Sequence, residues 1–459
     1  MIFTSSVYAI FLAVVVTAYW ALRQRQAQNL FLLAASYVFY GWVTPWFCLI
    51  IAAATVTAYG CCRGMAAFPD QKKRFLLISL CVNLGLLALF KYFNFFIESA
   101  QLMLGALGLS VQPAVLRLAL PAGISFYTFQ LVGCAVDTYR GQTPVRKNFI
   151  DFALFTSFFP LLLSGPIERA NSLLPQIEQD RRWAWNIFNT AWPLLLGGLF
   201  KKLVIADSLA FYADKIFMLE NPGPLLLLVG TFAFSIQIYA DFSGYTDMVR
   251  GSARLLGFEL TQNFNFPYFA ISPSDFWRRW HISLSTWIRD YIYIPLGGSR
   301  QKSQLRHAAA LLLTMSICGL WHGAAWTFVL WGLYHGLASF VYATLGFGGR
   351  WRPAGKLGTA AAWLLMFAVI QFGWLIFRAP SASWLAAALW TPAPVTADMH
   401  IAAAVIAVHC AFHLLPLGLL ALAEKKFPPL LRSPVYALLL LLTVLLRSEA
   451  GQDFIYFQF

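Results

Sequence analysis

The sequence predicts an all-α polytopic membrane protein, and composition and run length carry that prediction. The 459 residues are 59% hydrophobic and only 11% charged, and mean hydropathy is +0.66. Soluble domains carry about 25% charged residues, so a water-soluble fold of this length could not cover its surface. The apolar residues also come in long unbroken runs, such as "YAIFLAVVVTAYWAL" (8–22) and "YALLLLLTVLL" (436–446). A transmembrane barrel would instead show short segments of strict alternation. In hydrocarbon each backbone polar group needs an internal partner, so long apolar runs read as helices.

The candidate membrane segments, in order, are 6–22, 29–43, 45–62, 75–97, 115–136, 149–165, 186–206, 223–245, 308–321, 324–346, 358–377, 400–422 and 434–447. Several are shorter than the ~20 residues of a full crossing and read as re-entrant, tilted or paired half-helices, which leaves about eleven true spans. "MIFTSS" lacks the basic flank of a secretory signal, while Arg23 and Arg25 follow the first run. The first helix is therefore expected to stay uncleaved with its N-terminus outside. "CCRGMAAFPDQKKRF" (61–75), with Arg63, Lys72, Lys73 and Arg74, then reads as a cytoplasmic loop. The net charge of +14 fits basic cytoplasmic loops better than a nucleic-acid partner. No soluble domain, linker or convincing internal repeat interrupts residues 1–459, which read as one membrane-embedded domain; the lack of a repeat argues against a transporter built from inverted halves. The seven cysteines (Cys48, Cys61, Cys62, Cys81, Cys134, Cys318, Cys410) lie in or beside apolar runs without a CxxC pair. They indicate neither a disulfide framework nor a zinc site and read as small buried hydrophobes.

Residues 246–307 are the least apolar part of the chain. "SPSD" has the form of a helix start, with Ser272 as N-cap, Pro273 at the first position and Asp275 at the third. Apolar residues then recur at Phe276, Trp280, Leu284, Trp287 and Tyr291, with Arg278, Ser285 and Arg289 on another face, until "PLGG" (295–298) ends the pattern. The spacing predicts an amphipathic helix rich in Trp and Arg. An interfacial helix with aromatic and basic anchors accounts for that composition without chemistry.

Ionisable residues inside membrane segments are costly, so each is a functional candidate. They are His281, His322, His335, Asp137, Asp241, Asp247, Glu168 and Arg169. His322 sits in "GLWHGAAW" (319–326) after the run "AAALLLTMSIC". Gly319 and Gly323, four apart, share a helix face and permit close approach of a backbone or a substrate, while Trp321 and Trp326 are placed to exclude water. Burial disfavours imidazolium, and a neutral imidazole accepts a proton as a general base must. A structural histidine bonded to a neighbouring helix fits the same residues. His281 lies beside Arg278 and Arg279, whose guanidinium groups suit the phosphates of an incoming donor or, equally, an interfacial anchor. His335 follows in "GLYHG". No HxxxH or HExxH spacing links these histidines, and His409 with His413 has no carboxylates nearby, so no metal is expected. No Walker or GxGxxG motif is present, and Ser125 in "GISFYTF" lacks a nucleophile elbow. Asp241 and Asp247 in "IYADFSGYTDM" are expected to pair with Arg250 and Arg254 in a structural network.

"FWRRWHISLSTWIRDYIYIPLGGSR" (276–300) followed by "GLWHGAAWTFVLWGLYHG" (319–336) resembles the membrane-bound O-acyltransferase family, and more closely its bacterial branch that serves exported polymers. Matching stretches run the length of the chain: "LLAASYVFYGW", "PAGISFYTFQ", "FFPLLLSGPIER", "IYADFSGYTDM", "GWLIFRAP" and "FIYFQF". The resemblance implies a ring of about eleven transmembrane helices, with re-entrant and interfacial helices, around a central tunnel. It places His322 as the tunnel histidine of the "WHG" motif and His281 nearer the cytoplasmic mouth, both catalytic. Gly319, Trp321, Gly323, His335 and Asp241 would line the tunnel, and Arg278, Arg279 and Trp280 would bind the donor. It implies no bound cofactor. The donor would be acetyl-coenzyme A or another acyl thioester, and the acyl group would cross the bacterial inner membrane to an exported polysaccharide, alginate-like first, with peptidoglycan, cellulose or teichoic acid as alternatives. A periplasmic acyltransferase and the polysaccharide synthesis and export machinery would be the partners. Tyr456, in the aromatic "SEAGQDFIYFQF", is either an interfacial anchor or a transient acyl carrier. A non-enzymatic transporter or flippase is the competing class.

Overall fold

Apolar segments placed in hydrocarbon have no water to bond, and their backbones close on themselves as helices. Every α, 3₁₀ or π element among the described residues of the computed structural model is accordingly helical, with no strand. The structure describes residues 1–109, 115–116, 118–300, 303–349, 351–390, 393–426, 428–447 and 454–455, apart from the side chains at 421, 423–426 and 429–431. Two units form: Met1–Ala191 with Val249–Thr261, and Trp192–Met248 with Gln262–Phe459.

Among the described residues, five helices are long and apolar enough to cross a membrane: Phe47–Ala67, Pro69–Ala106, Pro224–Leu255, Gly355–Arg378 and Ala397–Leu420. Ser6–Ala21 and Arg432–Leu446 are shorter and apolar. Large apolar side chains such as Leu357, Leu305 and Leu415 stand almost fully exposed, which suits a surface facing lipid rather than water. Of its most apolar window, Pro224–Leu255 has 72% buried against 17% for Pro69–Ala106. The first is therefore a central element and the second a peripheral one.

In the first unit, Ser5 caps Ser6–Ala21 by accepting the Tyr8 amide at 3.1 Å. The Tyr8 hydroxyl donates to Ser252 Oγ at 2.7 Å, and the Trp20 indole donates to the Leu255 carbonyl at 2.8 Å. Buried Asn29 donates to Asp151 Oδ1 at 2.8 Å and to the Ile177 carbonyl at 3.0 Å. Three expectations are corrected here. Residues 61–75 are not a loop: Phe47–Ala67 runs through Arg63, and the next helical stretch begins at Pro69. The corner closes because Gly64 leaves room for the Phe75 ring, which a Cβ would meet at 2.5 Å. Residues 115–136 are not one span: the helix starts only at Ile124, after Gly123 at φ 72°, where a Cβ would lie 1.8 Å from the Leu162 carbonyl oxygen. Residues 149–165 break at Phe158 (φ −55°, ψ 109°) ahead of Pro160 into Phe149–Ser157 and Phe159–Leu162. Pro160 has no amide to donate back into Phe149–Ser157, so the first helix does not continue through it.

In the second unit, the part of Trp185–Phe200 from Trp192 onward leads into a π-helical stretch, Lys201–Ala206. It meets Pro224–Leu255 through two glycines: a Cβ on Gly198 would stand 2.5 Å from the Gly244 carbonyl oxygen, and one on Gly244 would stand 2.8 Å from the Gly198 oxygen. Gln304–His322 and Trp326–Thr344 form a hairpin held the same way. A Cβ on Gly319 would lie 2.0 Å from the Phe328 oxygen, and one on Gly332 would lie 2.1 Å from the Met315 oxygen. With no hydrophobic force between helices in lipid, such backbone contact supplies the van der Waals energy of association.

Gly332→Ala should destabilise the fold by about 1–3 kcal/mol, since the methyl meets backbone that cannot yield. Gly85, with open space around its Cβ position, is the control: Ala there should be neutral or stabilising, by up to about 1 kcal/mol of helix propensity. Thermal unfolding of detergent-solubilised variants measures both, and equal melting of the two would refute the contact.

Candidate active site

The site assembles in the second unit from three elements. His322 is the last residue of Gln304–His322. His335 lies in the middle of Trp326–Thr344. His281 lies at the break between Pro273–Trp277 and Ile282–Ile288. All three are at least 96% buried.

The continuous amphipathic helix expected over 276–291 does not form. Ser272 caps as anticipated, its Oγ accepting the Asp275 amide at 3.3 Å, but the helix ends at Trp277, and His281 takes φ 41°, ψ 57°. A left-handed conformation costs a residue with a Cβ about 1–2 kcal/mol. A clamp from the neighbouring segment holds it. The Ile282 amide donates to the Asn263 carbonyl at 3.0 Å, the Ser283 amide to Asn263 Oδ1 at 3.1 Å, and the Asn265 amide to the Arg279 carbonyl at 2.9 Å. The His281 carbonyl then accepts the Ser285 amide at 2.9 Å and starts the next helix. Residues in sparsely populated regions persist where the surroundings over-determine them, and such residues gather at functional sites. Burial lowers the His281 imidazole from 6.5 to about 3, so the ring is neutral at physiological pH.

The histidines do not touch one another; tryptophans separate them. Trp321 lies 5.8 Å from His281 and 5.1 Å from His322, centroid to centroid. Trp331 lies 5.1 Å from His322 and 4.9 Å from His335. The order is His281–Trp321–His322–Trp331–His335. Phe377 closes on His322 at 5.3 Å, and Trp277 on His335 at 5.3 Å. Trp331 Nε1, Trp277 Nε1, His335 Nδ1 and Thr314 Oγ1 are buried without a hydrogen-bond partner among the described residues. Buried polar groups are nearly always satisfied, and exceptions mark catalytic or ligand sites often enough to need an explanation. Among the described residues no three His, Cys, Asp or Glu are placed to hold a metal ion.

Other candidates have different surroundings. Trp326 is 55% exposed, so Trp331, not Trp326, is the second tryptophan at His322. The chain extends through Gly323–Ala325 before the next helix begins, which carries Trp326 away and returns Trp331. The space beside Gly319 and Gly323 is occupied by the Phe328 backbone and ring respectively, the backbone alternative of the sequence reading. Trp280 is buried against Trp374 at 4.8 Å and Phe264 at 5.0 Å. Arg278 and Arg279 pair with Asp275 at 3.6 and 3.0 Å, and Arg278 also donates to the Gly349 carbonyl at 3.0 Å with 47% of its side chain exposed.

The aspartates correct a further expectation. Asp241 pairs with Lys202 at 3.0 Å, and Asp247 pairs with Lys201. Lys202 also meets Asp207 at 2.9 Å. Arg254 and Arg250 pair instead with Glu259, at 2.5 and 3.8 Å. The lysines sit in the apolar run "LLLGGLFKKLVIAD". Their charge inside a membrane segment was the available signal. Asp241 Oδ2 also accepts the Ile455 amide at 2.7 Å. Tyr456 lies outside the described residues. The histidines line neither the polar cavity of about 470 Å³ among Arg181, Arg182, Asn186, Arg254 and Glu259 nor the apolar one of about 440 Å³ around Leu33 and Tyr37, both in the first unit.

The family model of the membrane-bound O-acyltransferases matches residues 137–372, a region that contains all three histidines, Asp241, Arg278 and Arg279. A probable alginate O-acetylase of Pseudomonas aeruginosa is 41% identical, over 83% of this chain and 72% of its own length. One of Azotobacter vinelandii is 40% identical, over 83% and 75%. A peptidoglycan O-acetyltransferase of Helicobacter pylori is 35% identical, over 76% and 71%. On that extent of match, with its membrane helices, the chain belongs to the membrane-bound O-acyltransferase family and is an O-acyltransferase.

Proposed function

We propose that this protein moves an acetyl group from cytoplasmic acetyl-coenzyme A across the bacterial inner membrane for O-acetylation of an exported polysaccharide, with an alginate-like polymer as the favoured acceptor. The observation that carries the reading is the buried series His281–Trp321–His322–Trp331–His335 inside the family region. The alginate choice rests on the relatives at 40–41% identity; peptidoglycan, supported by the 35% relative, is the second reading. In this reading residues 1–459 act as one membrane-embedded domain, with the N-terminus outside. A periplasmic acyltransferase and the polymer's synthesis and export machinery complete the route.

The chemistry follows from the site. An acceptor hydroxyl attacks the thioester carbonyl carbon and gives its proton to neutral His322. The tetrahedral intermediate collapses, the C–S bond breaks, and the thiolate of coenzyme A leaves, taking up the proton. Base catalysis of this kind contributes roughly 10²–10⁴-fold. His281 positions the reacting groups or handles the proton. Arg278 and Arg279 contact the donor's phosphates, exchanging their pairing with Asp275 for a stronger bidentate partner. Trp280 supports them from the core, and Gly319, Trp321, Gly323, His335 and Asp241 surround the path. Tyr456 supplies the first acceptor hydroxyl and passes the acetyl group to the periplasmic enzyme.

His322→Ala should fold as the wild type does and lose transfer from labelled acetyl-coenzyme A by at least about 100-fold in proteoliposomes; wild-type transfer would exclude His322 as the base. Tyr456→Phe should abolish polymer acetylation in cells, and full acetylation would remove Tyr456 from the route. His281→Gly should be more stable than His281→Ala by about 1–2 kcal/mol, because glycine adopts φ 41° without strain, while both lose transfer. Thermal unfolding and the labelled-acetyl assay read the two effects separately, and equal stability of the pair would contradict the strained turn.

A further inference from the structure

The polar cavity of about 470 Å³ in the first unit takes no part in the reaction just described. Its lining sets three arginines, Arg181, Arg182 and Arg254, against two carboxylates, Asp180 and Glu259, which leaves one positive charge in excess. Two of the arginines are committed. Arg181 donates to the Gln176 and Ile177 carbonyls at 2.9 and 3.1 Å, near the end of Ala170–Glu178, and its guanidinium lies over the Phe258 ring at 4.7 Å. Arg254 holds Glu259 through Nε and Nη2, at 2.7 and 2.5 Å. Arg182 differs. Among the described residues it has no hydrogen bond, ion pair or ring partner, and the Asp180 carboxylate has none either. The cavity therefore keeps one free guanidinium and one free carboxylate, with a positive balance overall.

An aromatic row runs beside it. Trp20, Trp183 and Trp185 follow one another at 5.6 and 6.0 Å between centroids. The Trp20 indole donates to the Leu255 carbonyl at 2.8 Å, which ties the row to the stretch that supplies Arg254 and Gly257 to the cavity. Trp183, Trp185 and Phe188 are 41%, 75% and 45% exposed. Charged groups in this number do not face hydrocarbon, and exposed indoles gather at headgroup depth rather than in bulk water. Cavity and row together mark this edge of the first unit as a membrane–water boundary. A basic cavity at that depth suits an anionic lipid headgroup, and its volume is that of a small-molecule site.

We propose that this cavity binds the headgroup of an anionic, hydroxylated phospholipid of the phosphatidylglycerol type. Arg182 contacts the phosphodiester, Asp180 accepts from the headgroup hydroxyls, and Trp183 and Trp185 lie against the glycerol and upper acyl chains. A lipid ammonium would also suit Asp180, but it would leave the excess positive charge unanswered. The site is separate from the histidine series, and its occupancy is read by binding rather than by acetyl transfer.

Thermal unfolding of the full chain in detergent, titrated with lipid, tests the assignment. Dioleoyl-phosphatidylglycerol should raise the melting temperature saturably, and the choline and ethanolamine lipids with the same chains should not. Arg182→Gln should raise the phosphatidylglycerol concentration needed for half the effect by about tenfold, the loss of a charge-assisted contact. Arg182→Lys keeps the charge without the planar fork and should be intermediate. Arg182 is exposed and unpaired among the described residues, so its loss should leave the fold intact. Arg74→Gln, at an exposed arginine outside the cavity, should respond as the wild type does. Trp185→Ser should weaken the lipid response while Arg182 is still present. An equal phosphatidylglycerol response in wild type and Arg182→Gln would overturn the site. An ethanolamine lipid as effective as phosphatidylglycerol would overturn the anionic assignment. Stabilisation by inorganic phosphate that matches the lipid's, is lost in Arg182→Gln and is kept in Trp185→Ser would give the site to a soluble phosphate instead.

Discussion

The contact between Gln304–His322 and Trp326–Thr344 sets the geometry on which the rest of the site depends. Backbone meets backbone at Gly319–Phe328 and Gly332–Met315, and no larger residue fits at either glycine. Because the two axes come this close, Trp331 of one helix reaches His322 of the other, and His335 follows one turn later behind Trp331. Gly373 repeats the device on the next helix, where a Cβ would lie 2.6 Å from His335 Nε2. Small residues thus let aromatic rings and imidazoles form a continuous buried series. In lipid, where burial of apolar surface does not drive helices together, such packing is also the adhesive.

The three histidines are enclosed by tryptophan and phenylalanine rings, and at His281 burial favours the neutral imidazole. The same enclosure strengthens any charge interaction formed during reaction. The cost is strain and unsatisfied polarity: a left-handed histidine at 281 and indole and imidazole nitrogens without partners among the described residues. Local rules are broken where function requires it and offset elsewhere, here by the three-bond clamp from Asn263 and Asn265.

The fold class was legible in composition and run length because lipid imposes so strong a filter on backbone structure. The three histidines stood out as candidates because an ionisable group in an apolar run has few bland explanations, and the structure buries all three. Element ends were not legible where tertiary contact decided them. Pro160 signals a break nearby but does not select Phe158 as the turning residue, and the start at Ile124 depends on a carbonyl of Leu162 approaching Gly123. The turn at His281 was hidden for the same reason: the periodicity of 276–291 is helical, and a clamp residues away in sequence overrides it. The choice of Trp331 over Trp326 depended on the non-helical link 323–325. The aspartates were recognised but given the wrong partners, because Arg250 and Arg254 are near in sequence while the lysines are near in space.

That last error shows how charge is managed in this protein. Arg254 and Arg250 pair with Glu259, whose side chain is exposed, so water screens that carboxylate and each pair contributes little. The lysines lie deeper, in an apolar helix, where an unpaired ammonium could not persist and a carboxylate must come to meet it. Two neighbouring lysines in one run are met by two acidic groups on a facing helix, with Asp207 of their own stretch as a third. "IYADFSGYTDM" provides the facing pair six apart, with Gly244 between them to permit the approach. In this chain glycine spacing and buried charge pairing act together: the close approach that glycine allows is what makes the buried ion pairs possible, and the pairs in turn fix which faces of the two helices meet. The phenylalanine after the first of those aspartates is the one that touches His281, so the register set by charge in one part of the unit is passed to the ring that borders the proposed catalytic series.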